Sequence, residues 1–121
     1  MLAVLRKAKG LRIRAGHTQH RFIGIWFVMV RDRVFVRSWS VKPHGWYRAF
    51  LEEPRGTILV ADHEIAVRAV STRDKRLRDT VDRAYLEKYN TPGARKYAKD
   101  LGTPKCRATT TELVPLPPDS K

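Results

Sequence analysis

The sequence predicts an α+β domain, mainly antiparallel β, in the form of a barrel or a curled sheet with helices at its ends. Three observations carry this. Two pairs of β-rich runs, Ile23–Val30 with Val34–Ser38 and Thr57–Ala61 with Glu64–Val70, are each separated by a short polar turn, and hairpins pair antiparallel. Helical spacing of apolar residues occurs only outside those pairs. The chain has 121 residues, 42% of them apolar, which is one ordinary domain with a modest core.

In chain order, Leu11-Arg12-Ile13-Arg14 alternates apolar and basic residues, as in a short strand with one wet face. Ala15–Arg21 is polar and reads as a loop. Ile23–Val30 shows Ile23, Ile25, Phe27 and Met29 on one face and Trp26, Val28 and Val30 on the other. A strand apolar on both faces lies centrally in a sheet or under a partner. Arg31-Asp32 makes the turn into Val34–Ser38, and Trp39–Pro43 is a loop. A short helix is expected over His44–Glu53, with Trp46, Tyr47, Phe50 and Leu51 on one face, and Pro54 and Gly56 stop it. The second hairpin turns at Asp62-His63. Asp74 caps a helix over Lys75–Tyr89, whose stripe is Leu77, Val81, Ala84, Tyr85 and Tyr89. Arg78 with Asp82 and Asp79 with Arg83 are its i,i+4 pairs. Thr91-Pro92 opens a third helix, Gly102 ends it, and Thr109–Leu116 is a closing strand. Pro115–Lys121 holds three prolines and little to bury, the composition of a loose tail.

The formal net charge is +13. Residues 1–50 carry 11 Lys/Arg and one acid, Asp32, whereas residues 51–121 carry 14 basic and 11 acidic residues. The first half therefore has an unbalanced positive field that attracts phosphates, nucleic acid or acidic surfaces. Cys106 is the single cysteine, so no disulfide forms within one chain and a reducing compartment is expected. Leu2–Leu5 is too short for a signal-peptide core, and Ile23–Val30 falls far below the ~20 residues that span a bilayer. The expected location is the cytoplasm, with no membrane partner.

No metal motif is present: His17 and His20 are three apart in a loop, and His44 and His63 are distant. No catalytic nucleophile motif is present either. Cys106 lies between Lys105 and Arg107, which lowers a thiol pKa if the charges are close, but no histidine is near it in sequence. The segment richest in chemistry is Phe35–Arg48, where Arg37, Lys42 and Arg48 alternate with Ser38, Ser40, Trp39, Trp46 and Tyr47. Such residues can pair with phosphate oxygens and offer flat faces to a fused ring. Trp46 and Phe50 also fit a plain packed helix face, and Arg37 the wet side of a strand.

The order I-W-F-V, a charged turn, V-F-V-R-S, a loop, then H-G-W-Y-R-A-F-L-E-E-P resembles the flavin- and deazaflavin-binding split β-barrels, the pyridoxamine-phosphate-oxidase-like proteins. It is closest to the small relatives of deazaflavin-dependent nitroreductases, and most like an uncharacterised bacterial family among them. The resemblance covers about residues 10–116. It implies a split β-barrel with flanking helices, so that residues 1–9 are a flexible N-terminal segment, 10–116 the single domain and 117–121 a disordered tail. It also implies a homodimer, with FMN or a deazaflavin coenzyme held near the subunit boundary. By position, Arg21, Arg37 and Ser38 would meet the cofactor, Trp39, Ser40 and Lys42 would form a loop over its phosphate side, and Trp46 and Tyr47 would pack beneath. Tyr85 and Tyr89 would face the substrate side or pack the helix. The chain departs from the pattern in having Gly16–Arg21 in place of a Gly-Arg-x-Ser-Gly loop, and Trp39 where relatives have glycine.

Three functions follow. The first is an oxidoreductase passing hydride from a bound flavin or deazaflavin to a small organic acceptor, with no catalytic side chain required. The second is a nucleic-acid or polyanion-binding module, supported by the basic first half but by no recognition motif. The third is a cofactor-free split barrel that binds a small ligand.

Overall fold

Ile23–Val30 reads as one strand, but the structure divides it at Trp26, and that division shapes the molecule. The computed structural model describes residues 2–15, 22–39 and 45–117. The elements in order are helix α1 (Leu2–Lys7), strands β1 (Leu11–Ala15), β2 (Ile23–Ile25), β3 (Phe27–Val30) and β4 (Arg33–Val36), helix α2 (Trp46–Glu52), strands β5 (Arg55–Val60) and β6 (His63–Ser71), helices α3 (Lys75–Lys88), α4 (Pro92–Asp100) and α5 (Pro104–Arg107), and strand β7 (Thr111–Pro115). The strands form one antiparallel sheet in the order β2-β1-β5-β6-β7-β4-β3. The two edge strands, β2 and β3, are consecutive in the chain, with Trp26 alone between them. The strip must therefore curl until its edges meet, giving a nearly closed barrel with helices around it. This is the expected α+β split barrel.

The double apolar face of β3 and β4 now has a cause. Phe27, Val34 and Val36 point into the barrel with Ile13, Ile58 and Val67, and α1 and α2 add Leu5, Trp46 and Phe50. Val28 and Phe35 point outward and are covered by Val81 and Tyr85 of α3 and Ala98 of α4. Fully burying one such side chain stabilises by roughly 1.5–3 kcal/mol. Among the described residues no helix covers the outer face of β1, β5, β6 and β7, where Arg12, Ala66, Arg68, Val70 and Val114 are exposed.

Several local expectations change. The N-terminal segment is helical rather than loose: Leu5 is buried in the barrel core, with Val4 and Ala8 packed against it. The second turn is Ala61-Asp62, since Val60 pairs with His63. Both turn residues have positive φ, 46° and 68°, the geometry of the two-residue turns that match sheet twist. The i,i+4 pairs on α3 do not form. Asp79 and Asp82 pair instead with Arg107, and Asp82 also with Arg37, while Arg78 Nε donates to the Thr72 carbonyl. A tertiary acceptor outcompetes a surface pair worth only a few tenths of a kcal/mol. The Asp74 and Thr91 caps form, accepting from Leu77 N–H and Ala94 N–H. The helix read over His44–Glu53 is observed as Trp46–Glu52, and its expected first residue lies outside the described residues, as do positions 118–121 of the tail. Among the described residues no helix is long and apolar enough to cross a membrane.

Candidate ligand site at the barrel closure

Five of the eight residues expected to hold a cofactor are described; Arg21, Ser40 and Lys42 lie outside the described residues. The five are not brought together on one open surface. Arg37 follows β4 into the space between the barrel and α3, where its residue is 2% exposed. Its Nε donates to Thr110 Oγ1 at 2.9 Å, its NH1 to the Leu101 carbonyl at 2.9 Å and to Asp82, and its NH2 to the Arg78 carbonyl at 2.9 Å. A guanidinium has five N–H groups in a fixed fork, and here four of them are spent on the protein. Arg37 therefore fits no direct phosphate contact; it ties β4 to α3 and to the segment before β7. Ser38 is buried too, its N–H donating to Thr109 Oγ1 at 2.8 Å. Trp46 belongs to the barrel core, edge-on to Tyr47 and Phe50. The half-buried Tyr47 reaches the Ala108 carbonyl at 3.5 Å.

Trp39 differs. It is 43% exposed, and its ring meets Trp26 edge-on with centroids 5.8 Å apart and Tyr97 of α4 at 6.5 Å. Trp26 in turn stacks flat on Tyr89, at 4.0 Å and 4°. Tyr97 is half exposed. The kink that closes the barrel therefore carries an aromatic cluster that reaches from core to solvent.

Trp26 also lines two hollows. One, of about 570 Å³, is bounded by Gly10, Arg12, Gly24, Leu59 and Asp62. Its floor includes Gly24, where an added Cβ would meet nothing within 4 Å, and Arg12, which pairs in register with both Gly24 and Leu59. The other, of about 340 Å³, is bounded by Lys9, Gly10, Lys88, Tyr89, Thr91 and Ala94. Volumes of this order suit small ligands.

Burial sets the electrostatics. Tyr85 is fully buried, and desolvation holds its phenol neutral well above the usual range; the hydroxyl donates to the Trp26 carbonyl at 3.2 Å. Burial pushes Tyr89 up to about 12. Its hydroxyl accepts from Phe27 N–H at 3.1 Å and donates to the Lys9 carbonyl, which fixes the kink from below. Both tyrosines thus serve helix packing, one of the two roles open to them. Desolvation pulls the Lys88 amine down to about 8. Among the described residues no group of three metal-ligating side chains occurs, and Cys106 is buried.

Sequence reading missed Trp26, Tyr97 and Lys88 as site residues. Trp26 looked like one more apolar residue of a continuous strand, and only the sheet order shows that it sits at the closure.

A family model described as "Uncharacterized protein conserved in bacteria" (DUF2255) matches residues 1–113. The chain belongs to this family. No curated protein matches it in sequence. Among solved structures, this DUF2255 chain is similar to HutZ, described as the heme storage protein from Vibrio cholerae, with a TM-score of 0.67 and 16% identity over 98% of this chain and 87% of that one. It is also similar to a pyridoxamine 5'-phosphate oxidase-like protein from Listeria innocua, with a TM-score of 0.64 and 14% identity over 96% and 90% of the two chains. A conserved hypothetical protein from Mycobacterium tuberculosis aligns with a TM-score of 0.62 and 10% identity over 93% and 74%. Identities this low establish the fold, which is the pyridoxamine-phosphate-oxidase-like split barrel.

Proposed function

We propose that this DUF2255 protein binds a planar, acid-bearing cofactor of the flavin or deazaflavin class and, as a homodimer, uses it to pass hydride to a small organic acceptor. The reading is carried by Trp39. Its chain neighbours Arg37 and Ser38 are locked inside, yet its own ring is 43% exposed and joins Trp26 and Tyr97. A large exposed aromatic on a rigid support is a stacking surface. Arg12 lines the larger hollow next to Trp26 and offers a partner for an acidic group. Arg21, Ser40 and Lys42 remain proposed for the phosphate side, and Arg37 and Ser38 become the internal support of the loop rather than contacts. The cofactor would supply the hydride chemistry, and the protein the binding surface.

A specific observation supports a second reading. Arg12, Arg55 and Arg68 are exposed on the uncovered outer face of the sheet, with Arg55 directly opposite Arg68. Like charges opposite one another destabilise a sheet, and a polyanion laid across the face would offset that.

One experiment separates the two. The absorbance spectrum and melting temperature of the purified protein are recorded with FMN, a deazaflavin coenzyme, hemin and random-sequence DNA. Hemin is included because HutZ is described as a heme storage protein and heme is also a planar acid. A ligand at ~100 times its Kd stabilises by about 2.7 kcal/mol. The expected result is a rise in Tm with FMN or the deazaflavin that Trp39→Ala weakens at least ~tenfold in Kd while the unliganded Tm is unchanged. The cofactor reading is overturned if neither shifts the Tm. Binding of DNA tighter than ~100 μM at physiological salt would then favour the second.

A further inference from the structure

Among the described residues, Lys88 is a half-buried cation with no anion paired to it. It sits on the last turn of α3 between two hollows and lines both. Its Nζ donates to the Phe27 carbonyl at 2.8 Å, and lies 3.4 Å from the centre of the Phe27 ring and 5.3 Å from that of Tyr89. All these partners are neutral. None of the five ion pairs among the described residues involves Lys88, and its desolvation is met by neutral partners alone.

The charged groups around it explain why. Glu87, its neighbour on α3, is exposed and lines only the hollow on the other side, shared with Arg6. Arg6 is itself paired with Asp32. On the near side the other charged residue among the described ones is Lys9, also a cation, and β3 contributes backbone and Phe27. An ammonium carries three N–H donors, and a carbonyl takes one of them. Folding here retains a charge at a desolvation cost in a concave place walled by Trp26, Tyr89, Gly10 and Ala94. Buried charges are ordinarily paired.

We propose that the hollow of about 340 Å³ between the barrel closure and the α3–α4 junction is a binding site for a small aromatic acid, whose carboxylate pairs with the Lys88 amine and whose ring lies against the Trp26–Tyr89 wall. Lys9 adds a second positive charge at the rim. This site adjoins the proposed cofactor surface and shares Trp26 with it, but Lys88 and Tyr89 line this hollow and not the larger one, and the proposal stands whether or not a cofactor binds at Trp39. Its volume fits one or two fused rings and not a dinucleotide-sized molecule.

The test uses the full chain and 2-naphthoate, with the neutral 2-naphthalenemethanol as comparator. Calorimetry should give a Kd for 2-naphthoate below ~1 mM, and the alcohol should bind at least ~tenfold more weakly. Amide resonances of Gly10, Thr91 and Ala94 should shift on binding. Lys88→Met keeps the apolar stem and removes the charge, so it should fold normally and lose ~tenfold or more in affinity, while Lys88→Arg retains most of it. Affinity should also fall ~tenfold per pH unit above pH 8, as the free amine loses its proton. The proposal is overturned if the naphthoate and the alcohol bind equally, if Lys88→Met binds naphthoate as wild type does, if the shifted amides lie elsewhere, or if no binding is found. Because the readout is naphthoate rather than FMN or a deazaflavin, failure here leaves the cofactor reading untouched, and the reverse also holds.

Discussion

Arg37 shows how far one residue's role depends on partners the sequence places far away. Its acceptors, Arg78, Asp82, Leu101 and Thr110, are 41 to 73 positions downstream. No local pattern at V-F-V-R-S distinguishes an arginine aimed at a ligand from one aimed inward, so sequence reading could find the segment but not the direction. The geometry predicts the cost of losing it. Arg37→Ala would remove the Arg37 partner of two carbonyls and of Thr110, leave Asp82 with Arg107 alone, and should destabilise by about 3 kcal/mol. Arg37→Lys should recover only part, because one ammonium cannot reproduce the planar fork. Urea denaturation of the three proteins checks this. If Arg37→Ala retains wild-type stability while cofactor affinity collapses, Arg37 is a ligand contact after all. Trp39 is the counterpart, legible as an aromatic in a polar loop and 43% exposed in the structure.

At the scale of elements, hairpins and helices were readable because their signals are local. Turn residues mark the hairpins, and Asp74 and Thr91 cap α3 and α4 as such residues should. What periodicity could not show is where a strand changes partner. Ile25 pairs with Leu11 and Phe27 pairs with Val36, so the two ends of one apolar run join opposite edges of the sheet. The leader helix was missed for another reason: Val4, Leu5 and Ala8 have helical spacing, but the stretch is too short to stand out from a loose end. Gly56 is closely packed, where β5 passes β1 and α2. A Cβ there would lie 2.6 Å from the Arg14 carbonyl oxygen and 2.7 Å from Phe50 Cε1. The first neighbour is backbone in the β1–β5 ladder and cannot move alone. Gly56→Ala should therefore destabilise by about 1–3 kcal/mol despite alanine's better backbone entropy. Hydrogen exchange should show the loss at β1, β5 and α2 before the α3–β3 side; uniform loss would mean that the two cores are not separable.

At the scale of the whole molecule, the two cores are joined through the Trp26 kink, and the groups that pin it titrate. Overall charge and fold class could be read from the sequence, but the burial of Lys88 and Tyr89 could not, since it follows from α3 packing on β3. Their opposite shifts give the folded state a distinctive pH response. The folded Lys88 amine titrates at about 8 against an ordinary 10.5. Between those values the unfolded chain holds a proton that the folded chain has released, so stability rises with pH through this group. Tyr89 acts the other way: its folded phenol titrates at about 12 against an ordinary 10. Its contribution is complete below pH 10 and is lost as pH rises towards 12, and the buried Tyr85 adds to that loss. Falling net charge also relieves self-repulsion in this basic chain as pH rises, which raises wild type and variant alike. The comparison that isolates Lys88 is therefore the difference between wild type and Lys88→Met in urea midpoint. The variant should be the more stable at pH 7.5, and the gap should shrink steadily to pH 10, after which both proteins lose stability together as the tyrosines ionise. A gap that stays constant from pH 7.5 to 10 would mean that Lys88 is not desolvated in the folded protein, and would remove the unpaired cation on which the aromatic-acid site is built.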